Sequence, residues 1–317
     1  MARSTLSGHE VPGASPTEGL GRPTVLNLII SIRPGQWTKN LIIFAGLLFG
    51  NASVGRHLFD GPTFTRAFAA FLIFCALSGV VYLINDVVDR ESDQRHPLKA
   101  RRPIASGAVS PAMAIGTALV LGVLGLVAAF ELNTRFGLLS AAYVSLLALY
   151  SGPLKHIVII DALTIAVGFA IRAAAGAVAV DVEISHWLLV CTILGALFIA
   201  FAKRRHELVL LAGGATSHRP ILGDYSPYLL DQMIAVVTAS TLVAYVFYTI
   251  SPETQQKFGT PWLGVTIPFP LYGIFRYLYL VHQRDGGGSP ADLLLTDRPL
   301  LACVALWALS VAAIIYR

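Results

Sequence analysis

Apolar residues along the chain come in long unbroken blocks separated by short polar stretches. Two examples are FAAFLIFCALSGVVYL at 68–83 and AMAIGTALVLGVLGLVAAF at 112–130. Wound as α-helix, a block of about 20 apolar residues matches the hydrocarbon thickness of a bilayer. The period-2 alternation of a membrane barrel is absent. The pattern predicts about nine spanning helices, at 36–50, 64–86, 110–130, 136–151, 158–180, 186–203, 231–250, 262–282 and 299–316. TVLNLIIS at 24–31 predicts a short helix on the membrane surface. Residues 1–23 are rich in Ser, Gly, Pro and Thr without an apolar core, and read as a disordered cytoplasmic tail rather than a signal peptide. The expected fold is thus an all-α polytopic membrane protein, with a single transmembrane catalytic domain over 24–317.

Composition agrees. Of 317 residues, 55% are hydrophobic and 13% charged, against roughly 25% charged in a soluble domain. Lys and Arg concentrate in alternate connections. Arg90, Arg95, Lys99, Arg101 and Arg102 follow the second span, Lys155 the fourth, Lys203, Arg204, Arg205 and Arg219 the sixth, and Arg284 and Arg298 the eighth. The other connections hold only Arg56, Arg135 and Lys257. The positive-inside rule places the N-terminus and the basic connections in the cytoplasm of a multi-pass plasma-membrane protein and the C-terminus outside. This distribution explains the net charge of +5 without nucleic acid. Cys75, Cys191 and Cys303 each sit inside an apolar run, and no His/Cys metal spacing appears.

INDVVDRESDQRHPLKARRPIASG at 84–107 breaks the pattern. Asn85, Asp89 and Asp93 recur every four residues and would share one helix face, with Tyr82, Asp86 and Asp93 on an adjacent line. Carboxylates so close repel unless a cation lies between them. Oxygen ligands of this kind favour Mg²⁺, which binds one or two carboxylates together with phosphate oxygens. Arg95, Lys99, Arg101 and Arg102 then supply positive charge for phosphate. The bland alternative is a solvated helix end with local ion pairs. Acids for a metal and bases for phosphates in one loop suggest a diphosphate leaving group.

NDVVDRESD resembles the NDxxDxxxD motif of the UbiA superfamily of intramembrane transferases, and the span layout is similar to that family's helical bundle, which implies a cytoplasm-facing central cavity. The superfamily's usual second acidic motif, DxxxD, is replaced by KRRHEL at 203–208. Together with RPGQWTKN at 33–40, YSGPLKH at 150–156 and HRPILGDYSPYLLDQ at 218–232, the chain looks like the decaprenyl-phosphate phosphoribosyltransferase branch. The resemblance implies a Mg²⁺-dependent transfer of 5-phosphoribosyl from phosphoribosyl diphosphate to a polyprenyl (decaprenyl) phosphate, giving a precursor for cell-wall arabinan. It implies Asn85, Asp89 and Asp93 as metal ligands, and Lys203 and Arg204, with Glu207, on the donor's phosphate and ribose.

Further candidates are Arg33 and Lys39 for lipid phosphate, with membrane anchoring an equal alternative, and Tyr150 and Lys155 for donor phosphate. Asp161 and Arg172 share a face of one span but lie about 16 Å apart along it. Each therefore needs a partner elsewhere, which makes both cavity candidates. Arg276, flanked by Tyr272 and Tyr279, poses the same question. Lys203 and Glu207 also permit a purely structural i,i+4 bridge. Two other functions compete: a prenyltransferase acting on an aromatic acceptor, expected to carry the second acidic motif, and a transporter, expected to show inverted repeats. Membrane lipid is a partner in every case, and a homo-oligomer is compatible with each.

Overall fold

The computed structural model describes residues 22–53, 60–95, 99–183, 186–210, 220–283, 293 and 296–317. Residues 1–21 of the expected tail at 1–23, and parts of the connections near His57, His96, His218 and Arg284, lie outside the described residues.

The described chain is helical throughout. α1 (Thr24–Ser31) leads through a 3-10 stretch (Pro34–Ile43) into α2 (Phe44–Ser53), followed by α3 (Gly61–Val88) and the short α4 (Arg90–Arg95). Then come α5 (Pro111–Leu132), α6 (Thr134–Ser151), α7 (Ile160–Ala179), α8 (His186–Leu210), α9 (Pro227–Ile250), α10 (Pro252–Phe258), α11 (Pro268–Gln283) and α12 (Arg298–Ile315). Each expected span coincides with helical structure, and α3, α5, α7, α9 and α12 are long and apolar enough to cross a bilayer. The first expected span departs most. It is wound as 3-10 helix as far as Ile43, entered through Arg33 in the left-handed region at φ 54.

Local chemistry sets the helix starts. Asp60, Ser110, Ser226, Ser251 and Asp297 each cap a helix through a side-chain oxygen that accepts a backbone N–H, with proline in the first turn. The cap satisfies a donor that the helix leaves open, and proline has no N–H to lose there. Asp297 serves twice, because Arg276 also donates to it at 3.1 and 2.7 Å. That contact gives Arg276 its partner.

α3 and α7 form the interior. α7 buries Ala162, Ala166, Ala173, Ala175 and Ala179 completely. Small side chains let its neighbours approach closely, as membrane bundles require. The tightest approach is to the 3-10 stretch and α2, where a Cβ on Gly176 would lie 2.1 Å from the Ile43 carbonyl oxygen and one on Gly46 would lie 2.6 Å from Ala177 N. This contact fixes Ile43 and Gly46 against α7. α5 instead exposes Leu119, Val120, Val123, Leu124 and Val127 along one side, as a lipid-facing helix would.

Candidate active site

The acids gather where α3 ends. α3 stops at Val88, Asp89 caps it, and the chain turns before α4. That turn regroups the carboxylates. Asn85 Nδ2 donates to Asp89 Oδ2 at 3.0 Å, while Asp93 swings beside Asp86. A single nitrogen, Arg102 Nη1, donates to Asp86 Oδ1 at 3.1 Å and to Asp93 Oδ2 at 2.6 Å. Arg33 Nη2 also bonds Asp86 Oδ1, and Lys99 Nζ lies 4.0 Å from Asp93 Oδ1. Asp89 turns the other way, and Lys155 Nζ donates to its Oδ1 at 2.5 Å. Asp86 and Asp93 are both 2% exposed. Burial pushes the Asp93 carboxyl above the usual carboxylate range, with Arg102 and Lys99 pulling against it. Arg95 and Arg101 are exposed, and Arg95 Nε donates to the Glu91 carbonyl at 3.2 Å rather than to the cluster.

The donors here are all oxygen, and a guanidinium nitrogen already stands between two converging carboxylates. A position that holds one cation between hard oxygen ligands fits a divalent ion of the Mg²⁺ type. Among the described residues no three His, Cys, Asp or Glu side chains form a protein-only metal site.

A second cluster joins α7 and α8. Asp161, fully buried, accepts from Arg204 Nε at 3.0 Å and from the Tyr225 hydroxyl at 3.2 Å. Arg204 Nη1 donates to Glu207 Oε2 at 3.1 Å, and Tyr150 lies near enough to Arg204 for the two to interact electrostatically. KRRHEL therefore points three ways. Arg204 faces the interior, Arg205 meets Asp231 of α9 at 2.5 Å, and Lys203 stays half-exposed with its Nζ 4.0 Å from Glu207 Oε1. The connection at 152–159 links the two clusters. Its Lys155 reaches Asp89, and its Ile159 N–H donates to the Tyr225 hydroxyl at 2.8 Å.

Arg172 lies apart from Asp161 and is held by Asn40 and Tyr143. Asn40, Ser78, Tyr143 and Tyr225 were not singled out as site residues by sequence reasoning. Ser78 and Tyr143 are polar groups inside apolar runs, and Asn40 and Tyr225 lie in mixed segments; neither pattern by itself says what the side chain touches.

Against known proteins, residues 41–295 match the model of the UbiA prenyltransferase family. The chain belongs to that family. It is similar to the decaprenyl-phosphate phosphoribosyltransferase of Mycolicibacterium smegmatis, at 34% identity over 97% of this chain and 98% of that protein. A protein of the same name from Corynebacterium glutamicum is 30% identical over 91% of this chain and 86% of its own length. In fold, the structure is similar to a UbiA homologue from Archaeoglobus fulgidus solved with GPP and Mg²⁺, with a TM-score of 0.69 at 19% identity, covering 92% of this chain and 100% of that one.

Proposed function

We propose that this protein transfers 5-phosphoribosyl from phosphoribosyl diphosphate to decaprenyl phosphate or a related polyprenyl phosphate and releases pyrophosphate. The observation that carries this reading is similarity over nearly the whole chain to relatives of that name. The charge pattern agrees with it. One acidic cluster suits one diphosphate, and a basic segment stands where a second acidic motif would serve prenyl diphosphate.

The enzyme sits in the plasma membrane as a nine-span bundle, N-terminus in and C-terminus out, with its central cavity open to the cytoplasm. In the reaction, the bond from the anomeric carbon to diphosphate breaks as a bond from an acceptor phosphate oxygen forms. Diphosphate leaves with the electron pair, and the acceptor is already ionised, so no general base is needed. A bound Mg²⁺ would supply charge stabilisation to the departing diphosphate. Asp86 and Asp93, which converge on one cationic nitrogen, would hold it, with Asn85 and Asp89 of the expected trio brought in by a turn of the Asp89 side chain. Arg102, Lys99 and Lys155 turn from their carboxylates to diphosphate oxygens, and Arg95 and Arg101 attract the anionic donor from solvent. Lys203, at the open end of the second cluster, takes the 5-phosphate. Arg204, clamped by Asp161, holds Glu207 toward the ribose, and Tyr150 closes that side. Most of the catalysis then comes from positioning and fixed charge.

The test is incubation of purified full-length protein with ribose-labelled phosphoribosyl diphosphate, decaprenyl phosphate and Mg²⁺. Labelled lipid and stoichiometric pyrophosphate are expected, and neither should form with EDTA. Prenylation of an aromatic acid from prenyl diphosphate, with no labelled lipid, would reverse the reading.

A further inference from the structure

Arg172 in α7 is 5% exposed, and among the described residues no carboxylate pairs with it. Its Nε donates to Asn40 Oδ1 at 2.8 Å and its Nη2 to the Tyr143 hydroxyl at 2.6 Å. The guanidinium also lies over the rings of Tyr143 and Phe169, 4.6 and 5.0 Å from their centroids. All these partners are neutral. They are themselves held by Ser78, whose Oγ lies 3.3 Å from Asn40 Oδ1 and 3.1 Å from the Tyr143 hydroxyl. The cluster fixes the guanidinium without neutralising it. A buried charge left in this state is costly unless an anion completes the site.

Two more cations stand nearby. Lys39 adjoins Asn40 in sequence, is half-buried, and has no acidic partner among the described residues. It is near enough to Arg172 and to Arg33 for each of them to repel its charge. Arg33 lies over the Tyr82 ring at 4.7 Å and bonds Asp86. α3 supplies the depth scale. Ser78, Tyr82 and Asp86 lie on successive turns of one face, about 6 Å apart along the axis. Arg172 is therefore anchored roughly two turns beneath the carboxylate mouth, and Arg33 with its Tyr82 partner lies between.

From this geometry we infer that Arg172, Lys39 and Arg33 form a phosphate-monoester subsite beneath the carboxylates, and that it receives the phosphate of the polyprenyl acceptor. The inference rests on the reaction proposed above and deepens it. The soluble donor meets Arg102, Lys99 and Lys155 at the mouth. A lipid phosphate arrives from within the membrane, where Arg172 and Lys39 have no carboxylate partner among the described residues and Arg33 alone is shared with Asp86. Held there, it presents an oxygen toward the anomeric carbon from the side opposite the departing diphosphate.

The test measures binding of decaprenyl phosphate, decaprenol and phosphoribosyl diphosphate separately, using full-length protein in nanodiscs. Lys39→Gln removes a charge that has no partner to lose, so the fold should survive it. Arg172→Lys keeps a charge at the second position. Lys39→Gln is expected to weaken decaprenyl phosphate binding about ten- to a hundredfold, with donor affinity within about twofold and decaprenol binding unaltered. Arg172→Lys should weaken the same ligand by a smaller factor. Unchanged decaprenyl phosphate affinity in a folded Lys39→Gln protein would overturn the inference while leaving the proposed reaction intact. So would a defect confined to the donor, which would hand these cations to the donor's 5-phosphate. Wild-type protein that binds neither phosphate substrate would overturn both.

Discussion

Arg204 and Asp161 meet at 3.0 Å with side chains 4% and 0% exposed, which ties α8 to the first turn of α7. Removing one partner of such a pair leaves a buried charge, and the usual cost is about 3–5 kcal/mol. Arg204→Gln and Asp161→Asn should therefore lower the unfolding temperature of the solubilised protein. Lys203→Gln, at a half-exposed position, should leave it near wild type and instead raise the donor KM. Thermal unfolding beside substrate titrations separates the two. Wild-type stability in Arg204→Gln would mean that Arg204 is not a clamp.

Asp93→Asn and Asp89→Ala probe the mouth. Asp89 is partly exposed, and Arg102 keeps Asp86 as its partner when Asp93 is neutralised, so the helices should survive both changes. Turnover should drop on the order of a hundredfold or more if charge stabilisation of the diphosphate dominates. Steady-state rates at saturating Mg²⁺ and donor provide the check, and near-normal rates in either folded variant would remove that residue from the reaction.

Gly176→Ala addresses the approach of α7 to the 3-10 stretch. Its new methyl would lie 2.1 Å from a backbone oxygen that cannot rotate away. Overpacking of this kind costs about 1–3 kcal/mol or more. Gly195→Ala, with nothing within 4 Å of its added carbon, is the matched control. Thermal unfolding of both should show a loss only in the first.

Asp297 supplies a pH dependence. The hydrogen bonds from Arg276, joined by the Leu300 N–H, hold its carboxyl below the usual carboxylate range. A depressed carboxyl contributes stability that is present above its unfolded value of about 3.9 and is lost as pH falls through the folded value. Asp297→Asn should thus lower the unfolding temperature at neutral pH, and the gap to wild type should close on acidification below about pH 4. A gap that stays constant with pH would assign the effect to capping alone.

Helix positions were legible because apolar block length and bilayer thickness are the same physical fact. Starts were read less well, since they depend on single residues such as Ser226 and Asp297 outside the apolar blocks. The 3-10 winding through Ile43 was not legible, because the segment packs against Gly176, a residue far along the chain. Among the candidate residues, the separation of Asp161 and Arg172 showed that each needs another partner. Those partners, Arg204 and Asn40, are 43 and 132 residues distant, and nothing local names them. The regrouping of Asp93 with Asp86 depends on the turn at Asp89, which an unbroken helical period does not contain.

Asp86, Asp89 and Asp93 all carry a basic partner before any substrate arrives. The resting cluster is in effect an internal salt, and in the proposed reaction loading it is an ion exchange. The carboxylates freed by the bases would hold a divalent cation, and the freed bases would hold the diphosphate. Each half of the exchange lowers the cost of the other, so donor and metal should bind cooperatively, each raising the other's affinity by the same factor.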